Sequence, residues 1–158
     1  MHTHKKRALV IAMAAAFISP VMASAEAFTL EEVVVTAQKK SQNINDVGIA
    51  VSAFSGEQMK DLGITNAMDM ALQTPGLVLT DTQPSGIPIY TIRGVGFDDI
   101  SVSSSSTVGV YTDQVALPYP VMTRGVSFDV ERAEVLKGPQ GDLYGQNNTG
   151  GAINFISN

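Results

Sequence analysis

A glycine-rich segment near the end of the chain constrains the fold most. It reads "VERAEVLKGPQGDLYGQNNTGGAINFIS" and spans residues 130–157. Five of the fourteen residues from 138 to 151 are glycine, and glycine adopts the turn conformations that other residues resist. The apolar runs on either side favour strands. The segment therefore predicts a strand at 131–137, tight turns around a short helix, and a last strand at 152–156.

The predicted last strand is apolar on both faces. Because side chains alternate along a strand, Ile153 and Phe155 point one way, and Ala152 and Ile156 point the other way. A strand of this kind requires cover on both sides of its sheet. Only two residues follow it, so we expect part of this cover to come from outside the chain.

Short helices are predicted before most of the strands. Ser55 and Gln58 have the spacing of a capping box, which predicts a helix that ends near Leu62. Further strands are predicted at 47–54, 77–80, 87–93 and 108–112. This order of elements predicts an α+β fold with a small mixed β-sheet and short helices.

A second helix is predicted at 66–73, between a capping residue at Thr65 and a Pro-Gly turn. Its apolar spacing predicts a core-facing side that carries Met68, Ala71 and Leu72. The methionines at 59, 68 and 70 are accordingly expected to fill the core.

The N-terminus has the pattern of a secretory signal peptide. Three basic residues at 5–7 precede an apolar stretch at 8–18, and Ala-Ser-Ala at 23–25 is a small-residue cleavage pattern. A retained membrane anchor is the alternative, but the apolar stretch is shorter than the about 20 residues that a spanning helix needs. The predicted organisation is a signal peptide at 1–25, an extended tether at 26–42 and one domain at 43–158.

Removal of residues 1–25 also limits the available chemistry. Both histidines lie in this segment and the chain has no cysteine, which excludes Cys or His triads, thiolate or imidazole zinc sites and disulfides. Seven basic residues then face 15 acidic ones, a balance that disfavours nucleic-acid binding. We expect no enzymatic activity, no metal site and no cofactor.

Several residues have alternative chemical interpretations. The glycine-rich segment lacks the Gly-Lys-Ser/Thr ending of a phosphate-binding loop, so turns explain its glycines better. Asp98 and Asp99 form either a carboxylate pair or a solvated acidic loop, and no other ligand cluster lies near them in sequence. The serines of 101–106 lack a base that could activate a nucleophile. Arg93 is either an exposed strand-end residue or a partner for a carboxylate on another structure.

Four segments together resemble one known family, the TonB-dependent outer-membrane receptors. "EEVVVTAQK" at 31–39 resembles their Ton box, and "TIRGVG" at 91–96 resembles the Ile-Arg-Gly of their plug domain. "VYTDQV" at 110–115 resembles a turn of the plug, and residues 130–157 resemble its closing signature. The segments keep the order and spacing of the family across most of the chain.

The resemblance implies a function in active import. Such a receptor binds a scarce solute at the outer face, commonly a metal chelate, cobalamin or a carbohydrate. TonB, with its inner-membrane energising complex, then takes the Ton box from the periplasm by strand addition, in which backbone hydrogen bonds supply the affinity. We expect this segment to stay unpaired until TonB arrives. The residues implied for TonB binding are Glu32, Val33, Val34, Val35, Thr36 and Ala37.

Two further sets of residues follow from the resemblance. Arg93 and Lys137 match plug cations that pair with acidic groups on the barrel wall. The loops at 81–86, 97–105 and 118–124 match the ligand-facing tips of the plug. The ligand contacts implied there are Gln83, Phe97, Asp98, Asp99, Tyr119 and Arg124.

The family also implies a large barrel around the plug. That barrel has about twenty-two strands and needs hundreds of further residues. We therefore expect the chain to be a truncated part of a receptor, located in the outer membrane with the plug inside the barrel and unable to transport alone. The alternative is a free periplasmic plug module that binds TonB or ligand. A small secreted hydrolase is a third hypothesis, disfavoured because no base and nucleophile pair is present.

Overall fold

The computed structural model describes residues 33–82, 86–97, 105–124 and 129–158, and these residues form short helices around three β-sheets. The strands are β1 (Val34–Val35), β2 (Gln42–Asn43), β3 (Ala50–Ser55), β4 (Leu77–Asp81), β5 (Pro88–Ile92), β6 (Val108–Thr112), β7 (Val115–Ala116), β8 (Val130–Lys137) and β9 (Gly151–Ser157). The α-helices are α1 (Gly56–Asp61), α2 (Ala67–Gln73) and α3 (Gly141–Tyr144).

The largest sheet has five strands in the order β3-β8-β9-β6-β7. Strands β6 and β9 are parallel, and the other pairs in this sheet are antiparallel. The remaining strands form two antiparallel pairs, β1 with β2 and β4 with β5. The predicted α+β fold with a small mixed sheet is therefore confirmed.

The predicted capping box at Ser55 and Gln58 is present. The Ser55 hydroxyl accepts a hydrogen bond from the Gln58 amide at 3.2 Å, and the Gln58 side-chain oxygen accepts one from the Ser55 amide at 3.1 Å. Helix α2 is capped by Asn66, whose side-chain oxygen accepts from the backbone amides of its first turn. The prediction of Thr65 as this cap was wrong, because the Thr65 amide and hydroxyl both donate to Asp69.

The predicted core-facing side of α2 was also partly wrong. Met68 and Leu72 are exposed, with Leu72 at 79%, so only Ala71 of the three predicted residues is buried. The helix is rotated so that a stripe at spacing i, i+3, i+4 and i+7 meets the core. That stripe consists of Ala67, Met70, Ala71 and Thr74.

The central strands β8, β9 and β6 are buried on both faces. Side chains alternate along a strand, so Val135 and Ile153 point to one face, where the β4–β5 pair and helix α2 also pack. Leu136 and Ala152 point to the other face and are fully buried there. The predicted cover on both faces is present for Ala152, Ile153 and Phe155, which are buried by described residues of the chain. Ile156 is only partly buried, and cover from outside the chain stays a prediction.

The N-terminal residues supply the cover of this second face. Val35 and Ala37 are fully buried there, and β1 pairs with β2 in an antiparallel hairpin. Residues 33–42 therefore do not form the extended, unpaired tether that the sequence predicted. The physical reason is that their apolar side chains lose water-exposed area against a face that is itself apolar.

We expect the second face to contribute strongly to stability. Replacing Leu136, which is fully buried there, by alanine removes its contacts and leaves a cavity, so the free energy of unfolding falls by about 2–5 kcal/mol. The exposed Leu72 is the matched control, and its change to alanine alters this free energy by less than about 0.5 kcal/mol. Urea unfolding of both variants measures the difference, and equal effects would contradict the assignment of this face.

Candidate functional site

Residues 33–37, called the N-terminal segment below, are held by a buried carboxylate on β8. The Thr36 amide donates to Glu134 Oε1 at 2.7 Å, and the Thr36 hydroxyl donates to the same oxygen at 3.2 Å. Glu134 has no exposed surface. A hydrogen bond to an ionised carboxylate is shorter and stronger than a neutral one, so this contact anchors the end of β1.

Arg132 balances the buried charge of Glu134. Its Nε lies 3.0 Å from Glu134 Oε1, and its Nη1 lies 2.6 Å from the carboxylate of Glu131. Arg132 and Glu134 are two positions apart on β8, so their side chains project from the same face. A buried carboxylate is tolerated only when it is paired and hydrogen-bonded, and Arg132 meets this condition. Its Nη2 also donates to the Thr36 hydroxyl at 3.5 Å.

Tyr144, at the end of α3, holds the next residue of the N-terminal segment. Its hydroxyl donates to the carbonyl oxygen of Ala37 at 3.1 Å, and the ammonium group of Lys39 lies 5.4 Å from the centre of its ring. Burial raises the pKa of Tyr144 to about 12, with smaller contributions from Glu134 and Tyr111. The hydroxyl therefore remains a protonated donor at neutral pH.

A small polar network fixes the position of Tyr144. The Tyr111 hydroxyl donates to the Tyr144 carbonyl at 2.9 Å, and Asn148 Nδ2 donates to the Tyr111 hydroxyl at 2.8 Å. The rings of Tyr111 and Tyr144 meet edge to face, with centroids 4.9 Å apart. Gly109 leaves the necessary room, because a Cβ atom there would collide with Asn148 and Tyr111.

One edge of β1 pairs with β2, and Thr36, which follows β1, is bound on the opposite side. The Ile44 amide donates to the Val33 carbonyl at 3.0 Å, so Val33 and, by alternation, Val35 direct their backbone groups towards β2. Val34 and Thr36 direct theirs away from β2, and the Thr36 amide on this outer edge is the one that Glu134 binds. Val34 is the residue of β1 whose backbone faces outward and whose side chain is exposed.

The two predicted plug cations lie next to each other. Arg93 has a φ of 52° and follows β5, and its guanidinium lies beside the turn at Gly138 that follows Lys137. Burial lowers the pKa of Lys137, and the positive charge of Arg93 lowers it further. Among the described residues, neither cation forms an ion pair.

The predicted ligand contacts are spread over the surface. Phe97 and Tyr119 are exposed at 52% and 48%, and they line two different cavities. Arg124 forms an ion pair with Asp81 at 3.1 Å, which connects two of the predicted loops. The structure does not bring these three residues into one pocket. Glu32, Gln83, Asp98 and Asp99 lie outside the described residues.

Four residues of this site were missed by the sequence predictions: Arg132, Glu134, Tyr144 and Asn148. A carboxylate at Glu134, between the apolar residues Ala133 and Val135, was the available signal, because a charge inside an apolar strand requires a partner. Its partner Thr36 lies 98 residues away, and no sequence spacing indicates such a contact.

Comparison with known proteins identifies the family. The family model described as TonB-dependent receptor plug domain matches residues 43–152. The chain belongs to this family. The pesticin receptor of Yersinia pestis is 28% identical over 141 residues, covering 87% of this chain and 20% of the receptor. The vitamin B12 transporter BtuB of Vibrio vulnificus is 29% identical over 162 residues, covering 97% of this chain and 25% of the transporter.

Solved structures show the same fold. The ferric yersiniabactin uptake receptor FyuA of Yersinia pestis matches 70% of this chain and 17% of its own, with a TM-score of 0.63 and 27% identity. The ferripyoverdine receptor of the outer membrane of Pseudomonas aeruginosa matches 80% of this chain and 16% of its own, with a TM-score of 0.63 and 21% identity. The chain spans about a fifth to a quarter of the length of the curated relatives.

The described residues also lack two kinds of feature. None of their helices combines the length and apolar character needed to cross a membrane. They contain no group of three or more His, Cys, Asp or Glu side chains placed to hold a metal ion.

We expect the pKa of Lys137 to depend on Arg93. Replacing Arg93 by methionine removes the neighbouring charge, so the pKa of Lys137 rises part of the way towards its ordinary value of 10.5, while the effect of burial remains. The folded chain binds the Lys137 proton less tightly than the unfolded chain, so this group makes the free energy of unfolding increase as pH rises through its titration. NMR titration of the Lys137 side chain measures the shift.

Arg124→Met is the matched control for this titration, because it removes another exposed arginine whose ion pair is with Asp81. It leaves the pKa of Lys137 unchanged. An equal pKa of Lys137 in the wild-type chain and in Arg93→Met would contradict the contact between the two cations.

Proposed function

We propose that this chain acts as the plug of a TonB-dependent outer-membrane receptor, in energy-coupled uptake of a scarce solute. The observation that carries the proposal is the family match over residues 43–152, together with a β-branched segment directly before it. Transport is ascribed to a whole receptor, because the relatives named above are much longer than this chain. The proposed site of action is the outer membrane, with the plug inside a β-barrel.

In this proposal residues 32–37 are the Ton box, and its partner is the C-terminal domain of TonB in its inner-membrane energising complex. Strand addition requires an extended backbone with an accessible edge. The valines at 33–35 favour the extended conformation, because branching at Cβ restricts their rotamers and suits a pleated strand. The outward-facing backbone of Val34 supports an approach of TonB from that side.

Arg93 and Lys137 are proposed to pair with carboxylates of the barrel wall. Two adjacent cations without an acidic partner among the described residues repel each other, and Lys137 is also partly buried. A pair of external carboxylates would relieve both penalties. The Arg93 guanidinium can bind one of them through two parallel hydrogen bonds, whereas Lys137 acts as a point charge.

The solute is proposed to bind near Gln83, Phe97, Asp98, Asp99, Tyr119 and Arg124. Exposed aromatic side chains and an arginine support this assignment, since such residues provide apolar contact together with an anion partner. Relatives are named for vitamin B12 and for ferric yersiniabactin. The proposed solute classes are metal chelates such as siderophores, cobalamin and carbohydrates.

One observation favours a second candidate function, a free periplasmic plug module that binds TonB or ligand. Described residues of the chain cover both faces of the central sheet, so the domain has a core of its own. Fractionation of cells that produce the chain distinguishes the two functions. Recovery with the outer membrane supports the receptor, and recovery as a folded periplasmic protein supports the module.

We expect Val34→Pro to weaken the binding of the TonB C-terminal domain about tenfold or more. Proline removes the amide donor on the outer edge of β1 and fixes φ, while the Val34 amide is not directed towards β2. Isothermal calorimetry with the purified TonB domain measures the dissociation constant.

Val34→Ile is the matched control, because it keeps both the amide and the β-branched side chain. It binds like the wild-type chain, and urea unfolding of both variants verifies that the domain is intact. Equal binding by the proline variant would rule out strand addition at this edge.

A further inference from the structure

A cavity of about 340 Å³ lies beside the first half of strand β6. Strand β7 pairs with the last two residues of β6, and the Leu117 amide then donates to the Val110 carbonyl at 2.8 Å. Residues 118–120 no longer belong to a strand, and the cavity occupies the space between them, β6 and the turn at 146–147. Its size is that of a small ligand site, since such sites measure about 300–1,000 Å³.

The backbone of β6 gives the cavity one polar wall. The amide and the carbonyl of a strand residue point to the same edge of the strand. The Gly150 amide donates to the Thr107 carbonyl at 2.9 Å, so the odd-numbered positions along β6 face β9. Val108 and Val110 face the opposite edge, and both line the cavity. The Val108 amide donates to Ser106 Oγ at 3.1 Å, and the Val108 carbonyl and the Val110 amide are directed towards the cavity.

The other walls carry polar side chains without charge. Among the described residues that line the cavity, none is Lys, Arg, Asp or Glu. Four lining side chains both donate and accept hydrogen bonds, and none of them forms one within the described part of the chain: Ser105, Tyr119, Gln146 and Asn147. The side chain of Tyr119 is also half exposed. The cavity thus combines neutral hydrogen-bonding groups with an aromatic face.

Buried tyrosines hold two walls of the cavity in place. On one side the Tyr90 hydroxyl donates to Thr123 Oγ1 at 3.0 Å, and the Thr123 hydroxyl donates to a backbone carbonyl at 2.7 Å. On the other side the Tyr111 hydroxyl donates to the Tyr144 carbonyl at 2.9 Å, close to the turn at 146–147. A ligand loses less free energy to ordering when the walls of its site are fixed before it binds. The cavity is therefore a preformed site.

We propose that this cavity binds one or two rings of an uncharged saccharide. Each saccharide hydroxyl both donates and accepts, which matches the amide and hydroxyl groups of the walls, and the apolar face of a sugar ring suits the ring of Tyr119. A charged solute finds no counter-charge among the described lining residues, and a charge buried without a partner is unfavourable. As a statement about uptake, the inference rests on the proposed function of the chain as a plug, and it selects carbohydrates over charged metal chelates.

NMR titration of the full isotope-labelled chain tests the proposal, with glucose, galactose, xylose and maltose as neutral probes. Glucuronate and galacturonate are the matched charged probes, because each carries a carboxylate in place of one CH₂OH group of its sugar. We expect saturable shifts of the Gly109, Val110 and Asn147 amides with at least one neutral probe. Both uronates bind at least about tenfold more weakly, because the cavity offers no counter-charge.

Two variants place the binding in the cavity. Tyr119→Ala removes the aromatic face. Asn147→Gly removes an amide group at a φ of 64°, which glycine adopts readily. Each variant weakens saccharide binding about five- to tenfold, the effect of one or two lost contacts. Leu72→Ala is the matched control, because it shortens an exposed side chain on α2 that does not line the cavity, and it leaves the dissociation constant unchanged.

The outcomes separate the cavity site from the proposed function. The absence of saturable shifts with all four neutral probes overturns the saccharide site, as do equal binding of the uronates and binding that both variants leave unchanged. Saturable shifts with trialanine and none with a saccharide assign the open edge of β6 to a peptide and also overturn it. The TonB calorimetry described above is repeated on the same chain. Saccharide binding without TonB binding supports the cavity site and overturns the proposed plug function, whereas TonB binding without saccharide binding does the reverse.

Discussion

The central strands β8, β9 and β6 carry apolar side chains on both faces, and the other elements are arranged so that both faces are covered. Helix α2 and the β4–β5 pair cover the face that contains Val135 and Ile153. The β1–β2 hairpin and Tyr144 cover the face that contains Leu136 and Ala152. Because burial of apolar area is the dominant favourable term in folding, the position of the N-terminal segment follows from the composition of the sheet.

The residues of the N-terminal segment suit two kinds of strand. Valines at 33–35 suit a strand that is offered to a partner, and the same side chains suit a strand that covers an apolar face. In the folded chain Val33 and Val35 serve the second purpose, whereas the side chain of Val34 is exposed, and the end of β1 is bound by Glu134. The hydrogen bonds to Thr36 and Ala37 hold the segment in this position.

The charges of the domain divide into two groups with different environments. Glu134 is fully buried and has its counter-charge within hydrogen-bond distance on the same strand. Arg93 and Lys137 lie together near the surface without a carboxylate among the described residues. Internal pairing stabilises the buried carboxylate of Glu134 within the fold. The ion pair between Arg124 and Asp81 is exposed and contributes little to stability.

The sequence alone determined what depends on neighbouring residues. Apolar runs predicted the strands, the Ser55 and Gln58 spacing predicted the capping box, and the motifs predicted the plug family. Local rules failed at helix α2 in two ways. Asn66 caps the helix instead of its neighbour Thr65, and the helix is rotated so that Leu72 is exposed.

Only the tertiary structure decided the environment of residues 33–37. Their pairing with β2 and their contact with Glu134 depend on a sheet face assembled from strands almost one hundred residues away. A sequence shows that such a segment favours the extended conformation, but it does not show which apolar surface lies within its reach. That surface exists only after β8, β9 and β6 have come together, since burial depends on neighbours in space and not on neighbours along the chain.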